Sequence, residues 1–256
     1  MRTALIGHTG FVGSTLARRI VFDACFNSAN IETIAEQAFD LVVCAGARAE
    51  KWRINADPDR DSANLQRLTA ALARVRADFV VLISTVDVYP VPIGVDEDGW
   101  IDIAGCAPYG RLRLALEHFV ATRFDTLTIR LPGLFGPGLK KNVIYDLLHN
   151  NMVDRINPDS SFQFYDVTGL WDDIQRARAL GLRLLNLATE PVNVGRLARE
   201  VFALQLGAST AGPPAVYDMR SRHAHLFGGR GGYLQSVDRV TADLQAFVAM
   251  HQRTSA

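Results

Sequence analysis

Ala4-Leu5-Ile6-Gly7-His8-Thr9-Gly10-Phe11-Val12-Gly13 is the stretch on which the reading of the fold turns. The apolar run has strand character and stops at a glycine. That glycine is the first of three at three-residue spacing, Gly7, Gly10 and Gly13, and Phe11, Val12 and Leu16 then mark one face of a helix. Glycine permits the unusual backbone angles of such a turn and lets the main chain approach a bound group closely. The first helical amides and the helix dipole then stabilise an anion such as a diphosphate. The spacing is G-x-x-G-x-x-G, not G-x-G-x-x-G, and it points to a dinucleotide binder; an ordinary tight strand-to-helix turn is the plainer alternative.

The pattern outward from this turn repeats it. Strand-like runs at Thr3–Ile6, Phe39–Ala45, Phe79–Ser84 and Leu127–Leu131 alternate with helical stretches at Phe11–Arg19, Asp61–Val75 and Tyr109–Thr122. Val21–Phe26 reads as a weaker strand and Ile31–Ala38 as a short helix. Strands that are continuously apolar have both faces covered, so the expectation is an α/β fold with a doubly wound, Rossmann-like parallel sheet. After Pro137 the pattern shifts to a helix at Asn142–Asn150, a returning strand at Leu184–Ala188, a helix within Pro191–Phe202 and a last helix at Val237–His251. Residues 207–235 are rich in glycine, proline and arginine. The expected division is a dinucleotide-binding domain of residues 1–138, with 165–190 returning to the sheet. Residues 139–164 and 191–256 then form a smaller substrate lobe.

Bulk composition narrows the function. A chain of 256 residues, 48% hydrophobic and 21% charged, can bury a full core. Its 27 basic residues balance 27 acidic ones, which favours neither nucleic acid nor an acidic membrane surface as partner. No apolar run reaches the roughly 18 residues needed to cross a bilayer. The three cysteines, Cys25, Cys44 and Cys106, are widely spaced and read as reduced thiols. With a strand this close to the N-terminus and no signal peptide, the expected location is cytoplasmic.

Ligands on such sheets bind beyond the C-terminal strand ends. There the chain carries Ser84-Thr85-Val86-Asp87-Val88-Tyr89, followed by Tyr109-Gly110-Arg111-Leu112-Arg113 at a helix start. Tyr109 and Arg113 share one helical face. A cation beside a phenol favours phenolate, which makes Tyr109 a candidate acid/base, and the Thr85 hydroxyl could orient the reacting oxygen. Asp87 could handle a second proton or stabilise its loop. Cys44-Ala45-Gly46 is a small-residue strand end against which a flat cofactor could pack. His223 and His225 alternate as metal ligands on a strand do, but no third ligand is near and no metal site is expected.

These motifs together resemble the extended short-chain dehydrogenases/reductases of the NAD-dependent epimerase/dehydratase family. The resemblance runs through the glycine turn, Ser84 to Tyr89, Tyr109 to Glu117, and Arg130-Leu131-Pro132-Gly133-Leu134-Phe135-Gly136-Pro137. It implies an NAD(P)-dependent oxidoreductase or epimerase acting on a nucleotide sugar or a related sugar-like substrate. Tyr109 would be the acid/base, Thr85 its partner hydroxyl, and Arg113 would hold the place of the usual lysine. Gly7, Thr9, Gly10, Phe11, Val12, Gly13, Asn27, Ser28, Asn30, Ile31, Cys44, Ala45, Gly46 and Pro132 would contact the cofactor. Asp87, Asn142, Arg220 and Arg222 would contact substrate, with Arg230, Lys140 and Lys141 adding charge. Trp171-Asp172-Asp173 matches an acidic segment that rejoins the lobe to the sheet. Arg18, Arg19 and Arg48 are candidate partners of a 2′-phosphate, which leaves NAD and NADP both open.

Three departures from the family pattern stand out. Lysine is replaced by Arg113, which keeps the charge but is bulkier and forked. The asparagine usual before the Gly-Pro pair is Gly133. Val86-Asp87 stands where dehydratases carry Asp-Glu, which argues against 4,6-dehydration. A dinucleotide-binding regulatory or scaffold protein with little chemistry is therefore the alternative from a different class. The resemblance also implies a homodimer through the helices at Leu65–Val75 and Tyr109–Thr122. Leu112, Leu116, Phe119 and Val120 could be either core or dimer face.

Overall fold

A computed structural model describes residues 1–207 and 212–255, so part of the glycine-, proline- and arginine-rich segment, 208–211, lies outside the described residues. Two compact units emerge. The first comprises residues 1–91, 100–130 and 168–185, the second 92–99, 131–167 and 186–256. Residues 92–99, inside the first domain by sequence, pack with the second unit.

The first unit follows the alternation of its apolar runs. Its elements are β1 (Thr3–Ile6), α1 (Phe11–Arg19), β2 (Ala24–Phe26), β3 (Ala38–Cys44), α2 (Lys51–Ala56), α3 (Pro58–Leu72), β4 (Arg76–Thr85), α4 (Pro108–Arg123) and β5 (Thr126–Leu131). The chain leaves through β6 (Gly133–Phe135), α5 (Val143–His149), β7 (Ser161–Phe162) and β8 (Phe164–Asp166). It returns with α6 (Leu170–Ala179) and β9 (Leu184–Asn186). The sheet order is β2-β1-β3-β4-β5-β9, and the ladders joining β2 to β1, β1 to β3 and β3 to β4 are parallel. Leu41, Val42, Val43, Val80 and Val81 are fully buried, as strands covered on both faces require. The order reverses between β1 and β3. Their C-terminal ends flank the crevice where ligands of open α/β sheets bind.

The glycine turn is built by contact as much as by angle. Gly7 has φ +86°, a left-handed conformation that favours glycine. A Cβ there would lie 2.3 Å from the Ala45 carbonyl oxygen, so the ends of β1 and β3 meet backbone to backbone. A Cβ on Gly13 would sit 2.1 Å from the Gly7 oxygen, whereas one on Gly10 would meet only that oxygen at 3.4 Å. Gly7 and Gly13 are therefore needed for packing, and Gly10 leaves space at an exposed tip.

Several elements differ from the expectation. The second strand is only Ala24–Phe26, and Ile31–Ile34 forms a single 3₁₀ turn instead of a helix to Ala38. The third helix starts at Pro58, where proline suits the first turn, and ends at Leu72. The stripe on α4 belongs largely to the core: Leu116 and Val120 are buried and Phe119 packs against them. The second unit adds β10 (Val192–Asn193), α7 (Val194–Phe202) and α8 (Val237–Ser255). Within it β6 pairs with β8, β10 pairs with β7, and a separate core forms around Phe135, Phe164, Leu197 and Leu244. No helix among the described residues is long and apolar enough to cross a membrane.

Gly13→Ala should lower the unfolding free energy by about 1–3 kcal/mol in a urea titration, the range for overpacking. Gly10→Ala should leave it nearly unchanged. Equal losses at both positions would contradict this account of the turn.

Candidate active site

The turn between β1 and α1 exposes uncapped amides. No side chain caps α1 at Gly10, and Thr9 and Gly10 are exposed. Four helical N–H groups lack partners at any such terminus, and here an anion would satisfy them. The turn is braced from β2: the Phe26 carbonyl accepts from Gly7 N at 2.7 Å and from His8 Nδ1 at 3.1 Å. A carbonyl only accepts, so the imidazole proton is on Nδ1. Phe11 and Val12 are half-buried and Gly13 is buried beneath them.

The other cofactor candidates divide between loop and core. Asn27 and Asn30 tie their loop to itself: Asn27 N donates to Asn30 Oδ1 at 2.7 Å, and Ala29 N to Asn27 Oδ1 at 2.8 Å. Ser28 is exposed and its carbonyl accepts from Arg67. Ile31 is a core residue whose side chain packs under the sheet. Cys44 is fully buried, and burial pushes its thiol up to about 11. At Gly46 a Cβ would reach Ile6 Cγ2 at 2.8 Å, so the β3 end lies close against β1. Pro132 follows β5 and belongs to the second unit. Arg18 bonds Thr15 Oγ1 at 3.1 Å, and Arg19 pairs with Asp172 at 3.3 Å.

The β4 end and the α4 start come together at Asp87. A Cβ on Gly110 would lie 2.1 Å from the Asp87 carbonyl oxygen, so α4 begins flush against this loop. Thr85 Oγ1 accepts from Asp87 N at 3.2 Å, and Asp87 Oδ1 accepts from Lys51 Nζ at 2.7 Å. Tyr109 is buried, and its N–H donates to Asn55 Oδ1 at 3.0 Å. Lys51 and Asn55, both on α2, escape the sequence reading because their partners are far away in the chain.

Arg113 adopts an unusual place. Its guanidinium carbon stands 4.7 Å from the centre of the Tyr109 ring, and Nη1 is 3.8 Å from Asp61 Oδ2. That separation is beyond a hydrogen bond. Nη1, Nη2 and Asp61 Oδ2 are buried without a hydrogen-bond partner among the described residues. Burial pushes the Asp61 carboxyl up, against the pull of Arg113.

Behind them α4 is held by a buried cluster. Arg130 donates to Glu117 through Nη2 at 2.6 Å and Nε at 3.1 Å, and through Nη1 to the Tyr89 hydroxyl at 2.6 Å. The Ser84 hydroxyl donates to Glu117 Oε1. Burial alone would pull Arg130 down, yet Glu117 outweighs it and holds the guanidinium above its ordinary value.

The second unit commits most of its candidates to structure. Asn142 caps α5, accepting from Ile144 N and Tyr145 N and donating to Leu134 O. Arg220 is paired with Asp218 at 3.0 Å and stacked on Tyr233, while Arg222 is paired with Asp98. Gly133 has a packing reason: a Cβ would lie 2.8 Å from Gln163 O and 3.1 Å from Phe164 Cδ1, so no asparagine fits there unaltered.

No protein-family model matches the chain, and no curated protein matches it. Solved structures share its fold. MoeE5 in complex with UDP-glucuronic acid and NAD is 16% identical with a TM-score of 0.76, covering 99% of this chain and 100% of that one. The UDP-N-acetylglucosamine 4-epimerase from Methanobrevibacter ruminantium M1, in complex with UDP-N-acetylmuramic acid, is 15% identical with a TM-score of 0.77, covering 99% and 98%. The dTDP-4-dehydrorhamnose reductase from Bacillus anthracis str. Ames, in complex with NADP, is 17% identical with a TM-score of 0.73, covering 97% and 98%. At these identities the likeness establishes the fold.

Glu117→Gln leaves the Arg130 charge buried without a counter-ion and should lose about 3–5 kcal/mol of stability in denaturant unfolding. The apolar double replacement Glu117→Leu with Arg130→Met should lose clearly less than either single change. If the double variant is as unstable as the sum of the two, the pair does not act as a unit.

Proposed function

We propose that the chain is an NAD(P)-dependent oxidoreductase or epimerase of the extended short-chain dehydrogenase/reductase type, acting on a nucleotide sugar or a related sugar. The observation that carries this reading is the uncapped glycine turn at the β1/β3 switch point, in a unit that also places Thr85 and Tyr109 where β4 meets α4. The solved structures with this fold support it, since they include an epimerase and a reductase and complexes with NAD, NADP and UDP-sugars.

The residues fit a dinucleotide. Uncapped α1 amides and the space at Gly10 suit its diphosphate, and the orphaned Arg113 nitrogens lack an acceptor of the kind a ribose offers. When bound, the nicotinamide supplies the hydride donor or acceptor. Tyr109 as phenolate would take the proton from the substrate carbinol, or as phenol would give it to the ketone oxygen, and Thr85 hydrogen-bonds that oxygen. Asp87 is neutralised by Lys51 and serves to hold the loop. A homodimer through the outer sides of α3 and α4 belongs to the same proposal.

A second reading keeps its own observation. Arg113 replaces the lysine, and its guanidinium turns onto Asp61. That arrangement favours a dinucleotide-binding regulatory or scaffold protein with little chemistry.

Calorimetry with NAD+ and NADP+ should give a micromolar or tighter Kd for one of them, unchanged in Tyr109→Phe. Turnover of a UDP- and dTDP-sugar panel should fall at least about 100-fold in that variant, the range for loss of a general acid/base. Binding with no turnover of any sugar would favour the second reading, and no binding to either dinucleotide would remove both.

A further inference from the structure

Helix α2 carries Trp52, which is 72% exposed although its helix is tied to the candidate active site at two points. Lys51 Nζ donates to Asp87 Oδ1 at 2.7 Å, and Asn55 Oδ1 accepts from Tyr109 N at 3.0 Å. All of these residues belong to the first unit. A single exposed apolar side chain is ordinary on a protein surface. Trp52 is set apart by a helix held against both Asp87 and the start of α4.

Lys51 and Asn55 are four residues apart, so they share the face of α2 that meets the site. At 3.6 residues per turn, Trp52 follows Lys51 by about 100° around the helix. Ile54 lies on the other flank of the anchored face and is buried. Trp52 therefore borders that face on its solvent side, at the rim of the region that holds Thr85, Asp87 and Tyr109. The charges at this rim are paired: Lys51 with Asp87, and Arg53 with Glu50 at 3.8 Å. Such a surface attracts a phosphate little and leaves the indole as its broadest feature.

An indole is a rigid, amphipathic platform that supplies contact area at small entropic cost. A pyranose ring suits it, because the axial hydrogens form an apolar face while the hydroxyls around the edge stay in water. An aromatic base would stack there too, but the ring that must come beside Tyr109 and Thr85 is the one bearing the reacting carbinol. We propose that Trp52 is the platform for the sugar ring of the substrate, stacked on its C–H face. This rests on the sugar reading above and deepens it. Trp52 sets affinity for the sugar half of the substrate and leaves the nucleotide half alone.

Calorimetry with UDP, dTDP and a panel of UDP- and dTDP-hexoses, in the presence of NADH and NADPH, separates the two halves. At least one hexose conjugate should bind about tenfold tighter than its free nucleotide, the scale of one anchoring aromatic. Trp52→Ala should cut that gain to less than about threefold with the free-nucleotide affinity unchanged, and Trp52→Phe should keep most of it. The indole fluorescence change on adding the conjugate should be lost in Trp52→Phe, against a background of Trp100 and Trp171. If Trp52→Ala keeps the whole gain, the platform is wrong and the nucleotide-sugar reading stands. If Trp52→Ala weakens NAD+ or NADP+ and not the conjugate, the indole packs on the cofactor and the platform is again wrong. If no conjugate binds more tightly than its nucleotide, the platform and the sugar reading both fall, while binding of NAD+ or NADP+ keeps the dinucleotide reading in place.

Discussion

The buried ion pair between Glu117 and Arg130 fixes where the candidate chemistry stands. Glu117 is on α4 and Arg130 on β5, and the cluster also takes in Ser84 on β4 and Tyr89 beyond it. Helix dipole and apolar packing could seat α4 in several rotations. A bidentate guanidinium–carboxylate contact, fully desolvated, is satisfied in few of them. Because Tyr109 and Arg113 are on the same helix, this pair sets the rotation that brings Tyr109 to the β4 end. Gly110 completes the seating by allowing α4 to touch the Asp87 backbone.

A second constraint acts at the other side of the crevice. The ends of β1 and β3 meet through Gly7 and Ala45, and Phe26 braces the turn from β2. Strand order reverses at this point, so no neighbouring helix covers it. Gly133 in the second unit and Arg113 in the first each have a local explanation. Gly133 is glycine because Gln163 and Phe164 occupy the space of a side chain. Arg113 faces the Asp61 carboxylate on the adjoining helix at 3.8 Å, close enough for charge attraction but without a hydrogen bond.

Much of the fold was legible because the signals were local. Continuous apolar runs marked β3, β4 and β5, and the glycine turn marked the β1–α1 junction. Less was legible where short elements depend on distant packing. The second strand shrank to Ala24–Phe26 because Val21 is exposed and Phe22 turns to pack on Trp171. Helix α2 is six residues long with one buried residue, Ile54, too little for a periodic signal. The acidic segment Trp171-Asp172-Asp173 is the first turn of α6, whose buried stripe is Leu170, Ile174 and Ala177. The site divided in the same way. The candidates Tyr109, Thr85 and the glycines stand in motifs, whereas Lys51, Asn55 and Glu117 acquire their partners only on folding. Arg220, Arg222 and Asn142 read as substrate contacts from their chemistry, yet nearby acceptors and donors in the second unit engage them.

The central claim is that one crevice, built on the first unit, takes a dinucleotide between the glycine turn and the start of α4. Hydrogen–deuterium exchange with and without saturating NADH and NADPH tests it most directly. The account predicts slowed exchange in residues 7–15, in the 27–31 loop and in residues 85–89 and 109–113, with one of the two cofactors. Unchanged exchange in all four segments, or protection confined to the second unit, would contradict it.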